Sequence, residues 1–322
     1  MRRGIAICAI LSLALASTLA HAQDYPTRPI KLVVPFAAGG AVDVLARLIG
    51  ARLADRFGQP VVIENRAGAG GNIGADAVAK SPPDGYTMLQ NTNGQAITPA
   101  LYRSLPFNPA TDFAPVTQLV ASNLILVASP KLPVKSLRDF IALAKAKPGG
   151  MNYGSSGIGN PLHLTMEMLK HAAGLDIQAV AYRSDAQINT ALMAGEVQAA
   201  VVPLATAVQL INDGRLLALG VTGAKRAAVL PDVPTIAEAG VPGFASTSWQ
   251  GFFAPAKTPA AIVDRIQRET AAVLKLPDIE SSLKAMAYEP VGSTPAEFAA
   301  FVKAETAKFA RVVQDAHIPM QD

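Results

Sequence analysis

Cysteine is almost missing from this chain. Cys8 is the single one in 322 residues, and it sits inside the apolar stretch Ile5 to Leu19. Once that stretch is removed, neither a disulfide nor thiol chemistry is possible. Histidine is scarce as well, and beyond residue 22 only His163, His171 and His317 are left. His163 and Glu167 share a helix face, but two potential ligands do not make a metal site. No metal and no cofactor is expected. Charge is low too: the formal net charge of +4 falls to +2 once Arg2 and Arg3 are gone. Such a balance carries no electrostatic case for nucleic acid. After Leu19 no segment is long and apolar enough to span a bilayer.

The one long apolar run belongs to a leader. Arg2 and Arg3 precede it, and Ala20-His21-Ala22 follows with the small-x-small pattern of a cleavage site. This reads as a secretory signal peptide over residues 1–22, with Gln23 as the new N-terminus. What remains is longer than one core usually serves, so two domains are expected. Half the residues are hydrophobic and only 6 % are aromatic, as in an alanine-rich α/β protein.

Strands and helices alternate along most of this length. Ile30 to Phe36 reads as a strand, followed by the turn Ala37-Ala38-Gly39-Gly40. A helix begins at Ala41, with Leu45, Leu48, Ile49, Leu53 and Phe57 on one face and Gly58 at its end. Further strands are expected at Val61–Glu64, Thr87–Gln90, Leu124–Ala128, Asn152–Gly154, Val180–Tyr182, Ala199–Val202 and Leu216–Val221. Ser136 and Thr258-Pro259 open helices, and Thr294-Pro295-Ala296-Glu297 opens another with a capping box. Such alternation produces mostly parallel sheets covered by helices, with ligands at the carboxyl ends of the strands.

Several catalytic patterns fail. Gly68-Ala-Gly70-Gly-Asn-Ile-Gly74 follows a strand, but its spacing is not that of a dinucleotide loop and no ribose-binding acid ends a following strand. Gly154-Ser155-Ser156-Gly157 lacks the second glycine of a hydrolase elbow, because Ile158 stands in its place. No nucleophile, metal or cofactor constellation is coherent, so an enzyme is not expected.

Three strand-to-helix turns share another chemistry. A small-residue turn at a helix N-terminus points backbone N–H groups outward, where the helix dipole favours an anion. Ala37 to Gly40 is one such turn, although glycines that only shape an ordinary β–α unit fit it equally well. Gly154 to His163 is a second, with Ser155, Ser156 and Asn160 as neutral donors. Tyr182-Arg183-Ser184-Asp185 is the third. Together they suit a cleft that binds a carboxylate.

The residues also carry a resemblance. Tyr25 to Gly40 with Asp43, Val62 to Gly74, Pro83 to Thr87, Asp112 to Val116, Pro231 to Thr235, Glu238 to Phe244 and Trp249 to Pro255 resemble the Bug (TctC) family. Those proteins are the extracytoplasmic solute receptors of tripartite tricarboxylate transporters. The resemblance covers nearly everything after the leader, in order. It implies a type II periplasmic-binding-protein fold: two α/β domains with a ligand cleft between them. Residues 23–125 plus 249–322 would form the first domain and 126–248 the second. It also implies a periplasmic location, a monomer, a membrane permease as partner, and a small carboxylate gripped by Phe36 to Gly40 and by Tyr182-Arg183. Ser184 departs from the glycine that family members often have there. It narrows the cleft or adds a hydroxyl.

Roles follow residue by residue. Ala37, Ala38, Gly39 and Gly40 would present N–H groups, and Asp43 would cap the helix start. Ser155, Ser156 and Asn160 would donate to a carboxylate, and Arg183 is either a cation for the ligand or a solvated rim residue. Asn93 and Gln95 would read the ligand's other end, and Pro203 and Leu204 would form an opposing wall. Trp249 is expected to pack near the hinge. A receptor that reports to a signalling partner, rather than to a permease, fits the same residues.

Overall fold

The computed structural model describes residues 25–157, 159–182 and 184–321. The signal-peptide reading and Arg183 therefore lie outside the described residues. The first elements are β1 (Ile30–Val34), α1 (Ala41–Phe57), β2 (Val61–Asn65), α2 (Asn72–Ala79), β3 (Thr87–Thr92) and α3 (Gly94–Leu101). Then come β4 (Phe113–Ala128), α4 (Leu137–Ala146), β5 (Asn152–Ser155), α5 (Pro161–Ala173), β6 (Gln178–Ala181) and α6 (Asp185–Ala194). They continue with β7 (Ala199–Pro203), α7 (Leu204–Asn212), β8 (Leu217–Val221) and β9 (Thr247–Pro255). The last are α8 (Ala260–Leu274), α9 (Pro277–Ala285), β10 (Glu289–Pro290) and α10 (Pro295–Asp315).

Local chemistry explains most boundaries. Ser136 accepts the Asp139 N–H to start α4, and Asn160 accepts the His163 N–H to start α5. Thr294 and Glu297 form both halves of a capping box at α10, which satisfies two N–H groups that the helix itself cannot. β1 is buried at Ile30, Leu32, Val33 and Val34 and exposed only at Lys31, the near-continuous apolar run of a strand covered on both faces.

The strands hydrogen-bond in the order β2-β1-β3-β9-β4-β7-β5-β6, with β8 and β10 pairing β4 off this path. β1 runs parallel to β2 and β3, whereas β9 lies antiparallel between β3 and β4. β4 is long, and its partners change along it. Phe113 to Asn123 pair with β9, and Leu124 to Ala128 pair with β7 and β8. Only the second stretch stands out in the sequence. Pro115, Thr117 and Gln118 interrupt the first, and its register with β9 shifts twice around them. A proline cannot donate to the ladder.

Each half of the sheet is covered on both faces. In the first half, Ile30, Leu32 and Val34 pack with α1, α8 and α9, while Val33 and Leu89 pack with α3 and α10. In the second half, Leu124, Leu126 and Ala128 face one core and Ile125 and Val127 face the other. Trp249 is fully buried edge-on against Phe298 and Phe301, and its indole N–H donates to Glu305. The same cluster takes in Leu164 of α5, so it reaches from one half to the other. Gly74 sits where a Cβ would meet Pro35 at 2.8 Å. This last glycine of the string, in the first turn of α2, thus serves close packing on the residue that follows β1. No helix of the described residues is long and apolar enough to cross a membrane.

Candidate functional site

A cavity of about 660 Å³ opens where β4 changes partners, with Ser122, Asn123 and Leu124 on its floor. From the first half, the start of α1 (Gly39, Ala41, Val42), Asn93, Gln250 and the turn Met286 to Tyr288 line it. From the second half come the starts of three helices: Asn160 to Leu162 at α5, Asp185 at α6 and Pro203 to Thr206 at α7. Among the described residues lining it there is no Lys, Arg or His, and Asp185 is the single carboxylate. Four helix N-termini suit an anion held by backbone N–H groups.

The α1 start is built around Asp43. Its Oδ2 accepts the Gly39 N–H at 2.8 Å and Arg47 Nε at 2.9 Å, and its Oδ1 accepts Asn65 Nδ2 at 2.9 Å. These bonds, Arg47 foremost, hold the buried carboxyl down from the ordinary 3.8 to about 2 against the upward push of burial. Asp43 therefore does not cap the helix in the expected sense. Gly40 is the N-cap, with no side-chain cap bond, and Asp43 reaches back past it to fix the turn. Gly39 holds φ of +80° with open space where a Cβ would stand. Its requirement is conformational, not one of close approach. Two expected donors are also engaged: the Gly39 N–H goes to Asp43, and the Gly40 N–H turns to the Ala37 carbonyl at 3.4 Å. The α1 N–H groups without intrahelical acceptors are those of the first turn, at Ala41, Val42 and Asp43.

The second half carries a short polar relay. Asn160 Oδ1 accepts the His163 N–H at 2.8 Å, so its amide nitrogen faces the other way and donates to Ser156 Oγ at 3.1 Å. Ser156 accepts there and keeps its own O–H proton, and its hydroxyl helps hold the Asp185 carboxyl down against the upward push of burial. His163 is buried and accepts the Gly159 N–H at Nδ1, and burial lowers its pKa.

The first half carries a longer one. Gln90 Nε2 donates to the Val42 carbonyl at 3.1 Å and to Gln250 Oε1 at 2.8 Å. Gln250 Nε2 then donates to the Tyr288 hydroxyl at 2.8 Å. None of Gln90, Gln250 and Tyr288 is marked by a local motif. They converge because β3, β9 and the turn after α9 are neighbours in space.

Of the residues picked out from sequence, the structure brings Gly39, Asn93, Asn160, Pro203 and Leu204 to the cavity. Ala37, Ala38 and Gly40 stay exposed on the turn beside it. Others are turned away. Phe36 packs on the first core and gives its carbonyl to Asn65. Gln95 binds Asn91 and the Pro109 carbonyl and lines a separate cavity beside α10. Ser155 is buried, with its hydroxyl bonded to the Gly157 backbone. Tyr182 borders a different pocket, on α6. Ser184 caps α6 by accepting the Gln187 N–H, and Ser156 serves the relay.

The sequence model for receptors of the tripartite tricarboxylate transporter family matches residues 45–318. The chain belongs to that receptor family. Its members are periplasmic substrate-binding receptors, not enzymes. The receptor is 36 % identical to the protein BugT of Bordetella pertussis over 296 residues, 91 % of each chain. It is also 36 % identical over 314 residues to a protein of Pseudomonas sp. encoded in the tcbD–tcbE intergenic region, covering 97 % of this chain and 94 % of that one. Among solved structures, R. palustris Rpa4515 with adipate superposes with a TM-score of 0.78 at 40 % identity, covering 92 % of the receptor and 100 % of that chain. MatC from Rhodopseudomonas palustris with bound malate gives 0.73 at 32 %, over 90 % and 100 %.

Proposed function

We propose that this receptor captures a small organic acid in the cavity at the β4 changeover and delivers it to the membrane subunits of a tripartite tricarboxylate transporter. The carrying observation is the cavity's wall: four helix N-termini and, among the described residues, no basic side chain. Each N-terminus contributes about 0.3–1 kcal/mol toward an anion, so several together favour negative charge. The bound adipate and malate of the two solved relatives support an acid as ligand.

In this reading residues 25–125 with 249–321 act as one domain and 126–248 as the other. They hinge where β4 changes partners, at Asn123 and Leu124, and where β9 begins. Asn93 and the first turn of α1 approach the acid from the first domain, and Asn160 and the α7 start from the second. The mature protein, exported and free of its leader, works as a monomer. Thermal-shift screening of residues 23–322 against a panel of mono-, di- and tricarboxylates tests the reading, because a ligand of the native state raises the melting temperature. One acid or a few should do so. A flat response across the panel defeats the proposal.

A further inference from the structure

The two walls of the cavity present groups of opposite polarity, and backbone groups fix the side-chain relay behind each. In the first half the fixed group is the Val42 carbonyl. It can only accept, so Gln90 must present its NH2 there, and that NH2 also serves Gln250 Oε1. Gln250 must then present its own NH2 to Tyr288. Tyr288 therefore accepts within the relay, and its O–H proton is left over for the cavity that the residue lines. Burial holds the phenol above its ordinary pKa, so the proton stays on at neutral pH.

In the second half the fixed group is the His163 N–H, which can only donate. It holds Asn160 Oδ1, so the Asn160 NH2 donates to Ser156, whose own O–H proton is left over. The same wall carries the Asp185 carboxylate into the cavity, an acceptor with lone pairs to spare. A ligand carboxylate set against Asp185 would meet like charge.

We infer that the cavity selects an organic acid that also carries a hydrogen-bond donor, with an acceptor oxygen on the Tyr288 hydroxyl and a hydroxyl or ammonium group on Asp185. The inference rests on the reading of the protein as an acid receptor and narrows it. A plain diacid satisfies the helix N-termini and Tyr288 but leaves Asp185 facing apolar methylenes or a second negative charge. A hydroxy acid or an amino acid satisfies all of them.

The test is calorimetric titration with two sets of acids. The first set is succinate, malate and aspartate. The second is adipate with its 2-hydroxy and 2-amino counterparts. The native protein should bind a substituted member of one set at least about 10-fold more tightly than the plain diacid, as a hydrogen bond to a charged group allows. Whether the hydroxyl or the ammonium form wins identifies the donor. Asp185→Asn should collapse that ratio, whereas Tyr288→Phe should weaken all members by roughly 10-fold or more and leave the ratio intact. Unliganded melting temperatures of both variants serve as the folding control. If plain diacids bind the native protein as tightly as their substituted counterparts, or if the preference survives Asp185→Asn, the inference is wrong while the acid receptor stands. If Tyr288→Phe binds like the native protein, the donor assignment is wrong. If none of the six acids binds, this inference fails, while the acid-receptor reading stands or falls by the wider carboxylate screen.

Discussion

The two walls of the cavity are built from different kinds of sequence relationship. On the second wall the interacting groups are near neighbours: Asn160 reaches Ser156 four residues away, and Ser155 closes on Gly157. On the first wall they are far apart. Gln90 meets Val42 across 48 residues and Gln250 across 160, and both glutamines are buried. A local relay is a property of one turn and breaks with that turn. A long-range relay ties together strands that must already be assembled, so breaking it disturbs the domain as well as the cavity. The two walls should therefore respond differently to equivalent substitutions.

The largest effect should come from Gln90→Ala. The change leaves the Val42 carbonyl without that donor and Gln250 Oε1 unpaired in a fully buried setting, costing roughly 2–4 kcal/mol. Urea unfolding without ligand would measure it, and a loss below about 1 kcal/mol would remove the distinction between the walls. Asp43→Asn comes next, at roughly 2 kcal/mol near neutral pH, because a neutral amide accepts more weakly from Gly39, Arg47 and Asn65. Its pH signature is specific. The native carboxyl has its pKa lowered from 3.8 to about 2, so its contribution is complete above about pH 4 and is lost as pH falls toward 2. Melting curves between pH 5 and pH 2 should show the native protein losing that margin and Asp43→Asn lacking this part of the decline.

Asn160→Ala on the second wall should cost about 1 kcal/mol, the usual worth of a helix cap. It should also weaken ligand binding, since it frees Ser156 and removes an amide that lines the cavity. The smallest effect is expected from Ser155→Ala. The hydroxyl is turned to the Gly157 backbone rather than the cavity, so affinity should change by less than about 0.5 kcal/mol. A loss of tenfold or more would place Ser155 on the ligand after all.

The same contrast explains what could be read from sequence. The α/β alternation, the Ser136 helix start, the Thr294 capping box and the Gly58 end of α1 were all legible, because each is written in residues a turn or less apart. Asn160, Pro203 and Leu204 were legible as cavity residues for the same reason: they sit at helix starts. Gln90, Gln250 and Tyr288 were not, because nothing in their neighbourhoods distinguishes a strand glutamine that faces a cavity from one that does not. Gln95 misled in the opposite way. It follows β3 as a ligand-reading residue would, but the first turn of α3 rotates it to the far side, toward Pro109. The amino-terminal part of β4 escaped notice because Pro115 and the polar pair Thr117-Gln118 break the strand pattern, whereas pairing with β9 restores it from outside.

The position of β9 sets an order of assembly. This strand lies between β3 and β4, joining Leu89 to Phe253 and Ser122 to Ser248. The part of the chain that leaves the ribosome first therefore cannot complete its sheet until residue 255 has been made. Residues 126–248 are contiguous and need no such late arrival. Contacts that wait on long loop closures form slowly, so the second half should gain protection first and the first half last. Under the proposed export that delay is useful, since the segment to be moved first is the one least able to fold ahead of it. Pulse-labelled hydrogen exchange during refolding should find β5 and β7 protected before β1 and β3.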